Sequence, residues 1–205
     1  MSCVQGRIVR YALASLCVFG GCAVSSACDS EDSGQGGQDN GTVLLTGEGH
    51  PIDTPIRGCE SAVFGTLASN WRQYATIAGP LAWLGISGYA TDPPPTFAIQ
   101  NGRYLFKKAL AVVERGALVK IVVPESEWTR LSLSYGVSGR PDNLYKISEG
   151  KSTWALRACE DTETQFNGGF IVGGAQCAAL DVFVEGKNQP IRVFIPFGTG
   201  KRPCP

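Results

Sequence analysis

The sequence predicts an all-β protein, an antiparallel β-sandwich that is immunoglobulin-like in the broad sense and stabilised by disulfides. The first observation is that short segments of alternating apolar and polar residues recur after residue 42. Such alternation points successive side chains to opposite faces of a sheet and buries one face. The second observation is that glycine and proline, 26 and 12 residues of the chain, separate these segments as turn residues do. No segment of similar length after residue 42 has the apolar spacing of an amphipathic helix.

The strands are expected in the following order along the chain. Residues 77–86 form a strand broken at Gly79–Pro80, and residues 106–114 form the next one. The second of these is also rich in helix-forming Lys, Ala and Leu. We interpret it as a strand because Arg115–Gly116 is a natural tight turn into residues 117–123, which would give a β-hairpin. The remaining strands are expected at 131–135, 153–159, 170–173, 178–185 and 191–197.

The predicted domain contains four cysteines, which can pair in three ways. If the last four strands form an up-and-down meander, Cys159 and Cys177 lie at opposite ends of the sheet, about 20 Å apart. A disulfide needs Cα atoms within about 7 Å. With a hairpin turn at Lys187–Asn188, Cys177 lies near the tail that carries Cys204. We therefore expect Cys177–Cys204 and Cys59–Cys159. The alternative, Cys159–Cys177 with Cys59–Cys204, requires a shorter intervening strand or one on another sheet.

The first 27 residues have the organisation of an export signal. Arg7 and Arg10 precede a short apolar stretch at residues 11–19, and small residues follow. Two of the small-residue runs end in cysteine, at Cys22 and Cys28. Both runs resemble the lipobox of bacterial lipoproteins, in which the cysteine becomes the lipidated first residue of the mature chain. The resemblance implies export and a membrane anchor.

Cysteine pairing favours Cys28 as the lipid attachment site. Cleavage before Cys28 leaves the four later cysteines, an even set, whereas cleavage before Cys22, the alternative, leaves Cys28 as a free thiol. A polar run also begins directly after Cys28, as a tether after an anchor would. Cleavage at the same place without lipid would give a secreted soluble protein. We expect a signal peptide at 1–27, a flexible polar tether at 28–48 and a single β-sandwich domain at 49–205.

Composition narrows the possible ligands. The chain carries 18 basic and 18 acidic residues, so no overall field favours nucleic acid. It has one histidine, His50, and the domain cysteines lack the CxxC spacing of a zinc site. Neither a metal site nor a cofactor is therefore expected. The domain also lacks the sequence spacing of a known catalytic site, and we therefore expect a non-catalytic binding module.

Two loops are candidates for the binding surface, because function on such scaffolds is commonly carried by loops. One is the long loop at 87–102, whose proline triplet favours an extended polyproline conformation. The other is the segment 124–128, whose two carboxylates are expected to be solvated. The candidate residues are Pro93, Pro94 and Pro95 in the first loop and Glu125, Glu127 and Trp128 in the second.

A hydrolase of envelope polysaccharide is the alternative function. It would use carboxylates that only the fold brings together, chosen from Glu125, Glu127, Asp142 and Glu149. Two of these carboxyl groups would then have to converge in one cleft.

The chain from Trp71 onward resembles uncharacterised exported proteins of high-GC bacteria. The shared segments are GPLAW, KALAVVERG, LSLSYG and GGFIVGGAQC. The resemblance carries no catalytic motif and implies no activity. Taken together, the sequence predicts a cell-envelope lipoprotein whose partner is an envelope protein or a glycan, which meets the membrane only through its N-terminal lipid and binds no nucleic acid.

Overall fold

The computed structural model describes residues 54–136 and 139–205, which form an all-β domain. These ranges contain strands and short 3₁₀ turns but no α-helix, so the predicted all-β class is confirmed. Nothing within them is a helix of the length and apolarity needed to cross a membrane. The predicted signal peptide, both candidate lipidation sites and the tether lie outside the described residues.

In the described part of the chain, thirteen strands make up three sheets in a sandwich-like arrangement. The first sheet has the order β1-β9-β6-β12-β13, the second β10-β5-β3-β2 and the third β7-β11-β4-β8. β1 and β9 pair in parallel, and the other strand pairs of these described sheets are antiparallel. The strands are β1 Ile56–Arg57, β2 Ala75–Ala78, β3 Leu81–Leu84, β4 Tyr104–Lys108, β5 Leu110–Val113, β6 Leu118–Val122, β7 Leu131–Ser134, β8 Leu144–Tyr145, β9 Thr153–Arg157, β10 Thr164–Phe166, β11 Gly169–Val172, β12 Gln176–Val184 and β13 Ile191–Phe197.

One apolar core is shared by strands of all three sheets. The alternating pattern explains which side chains enter it. In β12, for example, Ala178, Leu180 and Val182 are buried while the residues between them are partly exposed. Aromatic rings fill the centre of the core, with Phe170 and Phe197 in edge-to-face contact at 5.7 Å. The largest fully buried side chains include Trp83, Tyr135, Phe97, Phe166, Phe170 and Phe197.

The segment predicted as one strand at 106–114 is two strands in different sheets. The chain changes from β4 in the third sheet to β5 in the second at Ala109, whose amide donates to the carbonyl of Gly168, 2.8 Å away. The chain also passes from the second sheet to the third at Gly168, because β10 ends just before this residue and β11 begins just after it. A side chain at Gly168 would lie 2.1 Å from the ring of Tyr135. The two sheets therefore share a corner that only a glycine permits.

The predicted hairpin between 106–114 and 117–123 is wrong, although its turn exists. Gly116 adopts a left-handed conformation with φ of 68°, as a tight turn requires. Its amide donates to the carbonyl of Cys159 at 2.7 Å, which directs the following strand onto β9 rather than back onto β5. As a result β5 pairs with β3 and β10, while β6 pairs with β9 and β12.

Both disulfides join the expected partners. Cys59 is bonded to Cys159 with Cα atoms 4.8 Å apart, and Cys177 to Cys204 with Cα atoms 5.6 Å apart. Cys159 and Cys177 do lie at opposite ends of the first sheet, because β9 and β12 run parallel on either side of β6.

The predicted meander itself is wrong, because β11 belongs to the third sheet and β6 lies between β9 and β12. The turn between β12 and β13 also differs from the prediction. Gly186, with φ of 75°, forms a tight turn in which the amide of Lys187 donates to Val184. Cys177 therefore pairs with Pro196 across the ladder.

Loop length predicts which disulfide stabilises the domain more. The two bonds close segments of 100 and 27 residues, for which the chain-entropy model gives about 4.7 and about 3.5 kcal/mol. Replacing Cys59 and Cys159 by alanine should therefore lower the free energy of unfolding by about 1 kcal/mol more than replacing Cys177 and Cys204 by alanine. Urea unfolding followed by tryptophan fluorescence measures both. A larger loss from the second pair would contradict the entropic account.

Candidate functional site

The proline-rich loop is attached to the sandwich through the side chains of Tyr89, Asp92 and Phe97. The ammonium group of Lys107 in β4 lies 2.5 Å from a carboxylate oxygen of Asp92 and over the rings of Tyr89 and Phe97, 5.1 and 4.9 Å from their centres. The side chain of Phe97 is fully buried against Phe197. These contacts hold residues 89–97 in place as a cap on the core.

The three prolines form the exposed tip of this cap. Pro93 has the extended polyproline conformation that was predicted, but Pro94–Phe97 turns back as a 3₁₀ turn. Pro93, Pro94 and Pro95 are exposed, and none of them lines either of the two clefts described below. The structure therefore gives these prolines a surface position outside both of those clefts.

The second candidate loop places an aromatic ring on the surface in a fixed orientation. A 3₁₀ turn at Glu125–Glu127 leads into Trp128, whose indole Nε1 donates to the carbonyl of Val123 at 2.8 Å. The side chain of Trp128 remains 45% exposed. Since its only polar group is bonded within the protein, the ring offers an apolar surface to a ligand.

The expectation that Glu125 and Glu127 are both solvated is wrong for Glu127. Glu125 is exposed, but Glu127 is only 7% exposed. The turn directs the Glu127 carboxylate towards Arg130, whose Nε lies 2.9 Å from Oε2. The same turn is closed by hydrogen bonds from the amides of Glu127 and Arg130 to Pro124 and Glu127. The two carboxylates thus have different environments.

The other carboxylates considered for hydrolysis are also paired with arginines. Asp142 lies 3.5 Å from Arg103, and Glu149 lies 2.6 Å from Arg140. A hydrogen bond from the Lys146 amide, together with the charge of Arg140, lowers the pKa of Glu149. A general acid in glycoside hydrolysis needs a raised pKa, so Glu149 is unsuited to that role.

A cleft of about 350 Å³ lies beside Trp128, and we call it the Trp128 cleft. Its two walls are the segment that leads into β7 and the segment 147–152 that follows β8. None of the described residues that line it is acidic. The lining consists of the apolar or small residues Trp128, Leu131, Ile147 and Gly150, the hydroxyl residues Thr129, Ser132, Ser148 and Ser152, and Lys151.

Ser132 is the unusual residue of this cleft. It lies in β7 between Leu131 and Leu133, which face the core, and its own side chain is only 4% exposed. Its hydroxyl has no hydrogen-bond partner among the described residues. Buried hydroxyls are normally paired, since leaving one unpaired costs about 1–3 kcal/mol.

Gly150 packs directly against that hydroxyl, in a contact too close for any other residue. A Cβ atom at Gly150 would lie 2.2 Å from Oγ of Ser132 and 2.9 Å from the carbonyl oxygen of Leu133. The backbone of the neighbouring Lys151 pairs with Leu133 through two hydrogen bonds, of 2.8 and 2.9 Å. The 147–152 segment is thereby fixed against β7 at this point.

A second cleft, of about 440 Å³, lies between residues 62–66 and 162–165. Phe64 beside it is 85% exposed. Among the described lining residues Glu163 is the one acidic residue, and it is paired with Arg72 at 2.5 Å. Of the residues singled out in the sequence, Cys159 lines this cleft, and it is used in the disulfide to Cys59.

The sequence pointed to Trp128 but not to the rest of its cleft. Ser132 has the pattern of a solvent-facing residue in an alternating strand, and no local signal shows that the 147–152 segment covers it. Within residues 54–136 and 139–205, no group of three His, Cys, Asp or Glu side chains is placed to hold a metal ion. The chain matches no protein-family model and no curated protein.

The unpaired state of Ser132 predicts how its replacement affects stability. We expect Ser132→Ala to leave the free energy of unfolding unchanged or to raise it by up to about 1 kcal/mol, because the variant buries no unpaired hydroxyl. Urea unfolding measures this.

A matched control is Thr164→Val. Thr164 is also buried, but its hydroxyl accepts a hydrogen bond of 2.7 Å from the Cys159 amide. This change should cost about 1–3 kcal/mol. An equal loss in the Ser132 variant would show that Ser132 has a partner in the free protein.

Proposed function

We propose that this protein is an exported cell-envelope lipoprotein whose domain is a non-catalytic binding module. The observation that carries the proposal is the Trp128 cleft. An oriented, exposed aromatic ring lines it together with a buried hydroxyl that lacks a partner among the described residues. The unpaired hydroxyl is unfavourable in the free domain and a bound ligand would pair it, while the ring offers that ligand an apolar surface. They therefore support this cleft as the binding surface.

The disulfides support the location. Two disulfides in a domain of this size are typical of an oxidising, extracytoplasmic environment. Lipidation at Cys28 rests on the sequence, with Cys22 as the alternative site and a secreted soluble protein as the form without lipid. All four domain cysteines are used in disulfides, so cleavage before Cys28 followed by acylation of Cys28 leaves no free thiol in the mature chain.

The charge pairing supports binding rather than catalysis. Glu127, Asp142 and Glu149 each have an arginine partner of their own. Among the residues that the structure describes, no two carboxylates line either of the two clefts. The pair of converging carboxyl groups that the hydrolase alternative needs is therefore absent from both clefts.

Mass spectrometry of the mature N-terminus tests the location. We expect the chain purified from its native host to begin at Cys28 and to carry acyl groups, because two or more acyl chains are needed for stable membrane anchoring. A Cys28→Ser variant should lose the acyl groups. An unmodified wild-type N-terminus at or after residue 28 would refute lipidation.

Co-sedimentation tests the binding surface. The mature chain with Cys28→Ser, which removes the predicted anchor, should sediment with isolated envelopes of the native host. Trp128→Ala should weaken this binding by about tenfold, as expected for the loss of a tryptophan at the centre of an interface.

Tyr74→Ala is the matched control for this experiment. Tyr74 is an aromatic residue that is 59% exposed, and it is absent from the lining of the Trp128 cleft. Its replacement should leave binding unchanged. Equal effects of the two replacements, or no binding by the wild type, would count against the proposed surface.

A further inference from the structure

The Trp128 cleft has the chemistry of a carbohydrate site. We propose that it binds a glycan of the cell envelope, with one sugar ring stacked on Trp128 and a ring hydroxyl bonded to Ser132. This inference rests on the proposed function, because it assigns a ligand class to the same cleft.

The orientation of Trp128 favours a ligand with an apolar face. The hydrogen bond from Nε1 to Val123 fixes the ring and removes its only donor from the surface. What remains exposed is the hydrocarbon and π surface of the indole. The C–H face of a pyranose ring matches such a surface, and stacking on it requires no hydrogen bond from the tryptophan.

The rest of the lining favours a ligand that also carries many hydroxyl groups. Ser132, Ser148, Ser152 and Thr129 bring hydroxyls to the cleft, and each can donate and accept a hydrogen bond. The hydroxyl of Ser132 is already desolvated and unpaired, so a bond to a ligand would recover a contact that folding has left unmade. Apolar stacking together with paired hydroxyls is the combination that a sugar requires.

The backbone around the cleft argues against an extended peptide as the ligand. A peptide that adds a strand to a sheet needs free amides and carbonyls on an edge strand. β7 is an edge strand of the third sheet, but at Leu133 both of its outward backbone groups are already bonded to Lys151. The cleft therefore offers side-chain contacts at this point in place of a strand edge.

The size and charge of the cleft fit a short stretch of glycan. Its volume of about 350 Å³ is at the small end of the range for ligand sites, about 300–1,000 Å³. None of the described lining residues is acidic, and Lys151 is the one charged residue among them. Neutral sugars and sugars with an acidic group are both compatible with this lining.

Selective destruction of envelope components tests the ligand class. The probe is the envelope preparation of the native host, either untreated, digested with protease, or oxidised with periodate, which cleaves the vicinal diols of sugars. The mature chain with Cys28→Ser should bind the untreated and the protease-digested envelopes equally and lose binding after periodate.

Variants connect that result to the cleft. Trp128→Ala should weaken binding by about tenfold, and Trp128→Phe should weaken it less because it keeps a ring. Ser132→Ala should weaken binding by about three- to tenfold, the value of one neutral hydrogen bond. Thr164→Val removes a buried hydroxyl that does not line the cleft, and it should change binding by less than about twofold. Unfolding curves establish that each variant is folded.

The outcomes separate the inference from the proposed function. Binding that depends on Trp128, is lost after protease digestion and survives periodate would overturn the glycan inference and identify a protein partner. Binding that survives both treatments would overturn it in favour of lipid. If no Trp128-dependent binding to untreated envelopes occurs, the proposed function fails, and the glycan inference fails with it.

Discussion

The contact between the ring of Tyr135 and the backbone at Gly168 is the constraint on which the rest of the domain depends. Strands cross between the second and third sheets at this glycine, and a Cβ atom there would lie 2.1 Å from the ring. The Tyr135 side chain is fully buried, and its hydroxyl accepts a hydrogen bond of 2.8 Å from Nε1 of Trp83 in the second sheet. Burial raises the pKa of Tyr135, so the phenol stays neutral in the core. One side chain thus joins both sheets at their shared corner. Arg57 in β1 attaches the first sheet to it, because its guanidinium donates to the carbonyls of Tyr135 and Asn167.

This corner also explains why the candidate site lies where it does. The third sheet has one face in the core, where Leu131 and Leu133 of β7 are buried. Ser132 points to the opposite face, where it would be solvated if the sheet were open on that side. The chain after β8 instead folds back over β7 and pairs with Leu133, which buries Ser132 without giving it a partner. Gly150 permits this close approach, because a Cβ atom there would lie 2.2 Å from Oγ of Ser132. The cleft is therefore a consequence of how a connecting segment covers a polar strand face.

Sequence patterns located most strands but not their partners. The alternation in β6, β12 and β13 was sufficient because each of these strands is covered on one face and more open on the other. The sequence predicts a single strand at 106–114 because its residues are compatible with one throughout. Its division at Ala109 depends on the hydrogen bond to Gly168, a residue far away in the sequence. The disulfide pairing followed from strand direction and from the hairpin before the Cys204 tail, even though β6, and not β11, separates the two strands concerned.

For the candidate site, the sequence by itself determined the presence of an aromatic residue next to two carboxylates after Pro124. Alternation and turn residues likewise determined the all-β class, because both are properties of a few neighbouring residues. Only the tertiary structure decided that Glu127 is buried against Arg130, that Trp128 is oriented by Val123, and that a cleft exists beside it. It also decided that Ser132 is covered and left unpaired. The physical reason is that burial and pairing depend on which distant segment packs against a residue, and that depends on contacts such as the one at Gly168 that no local pattern contains.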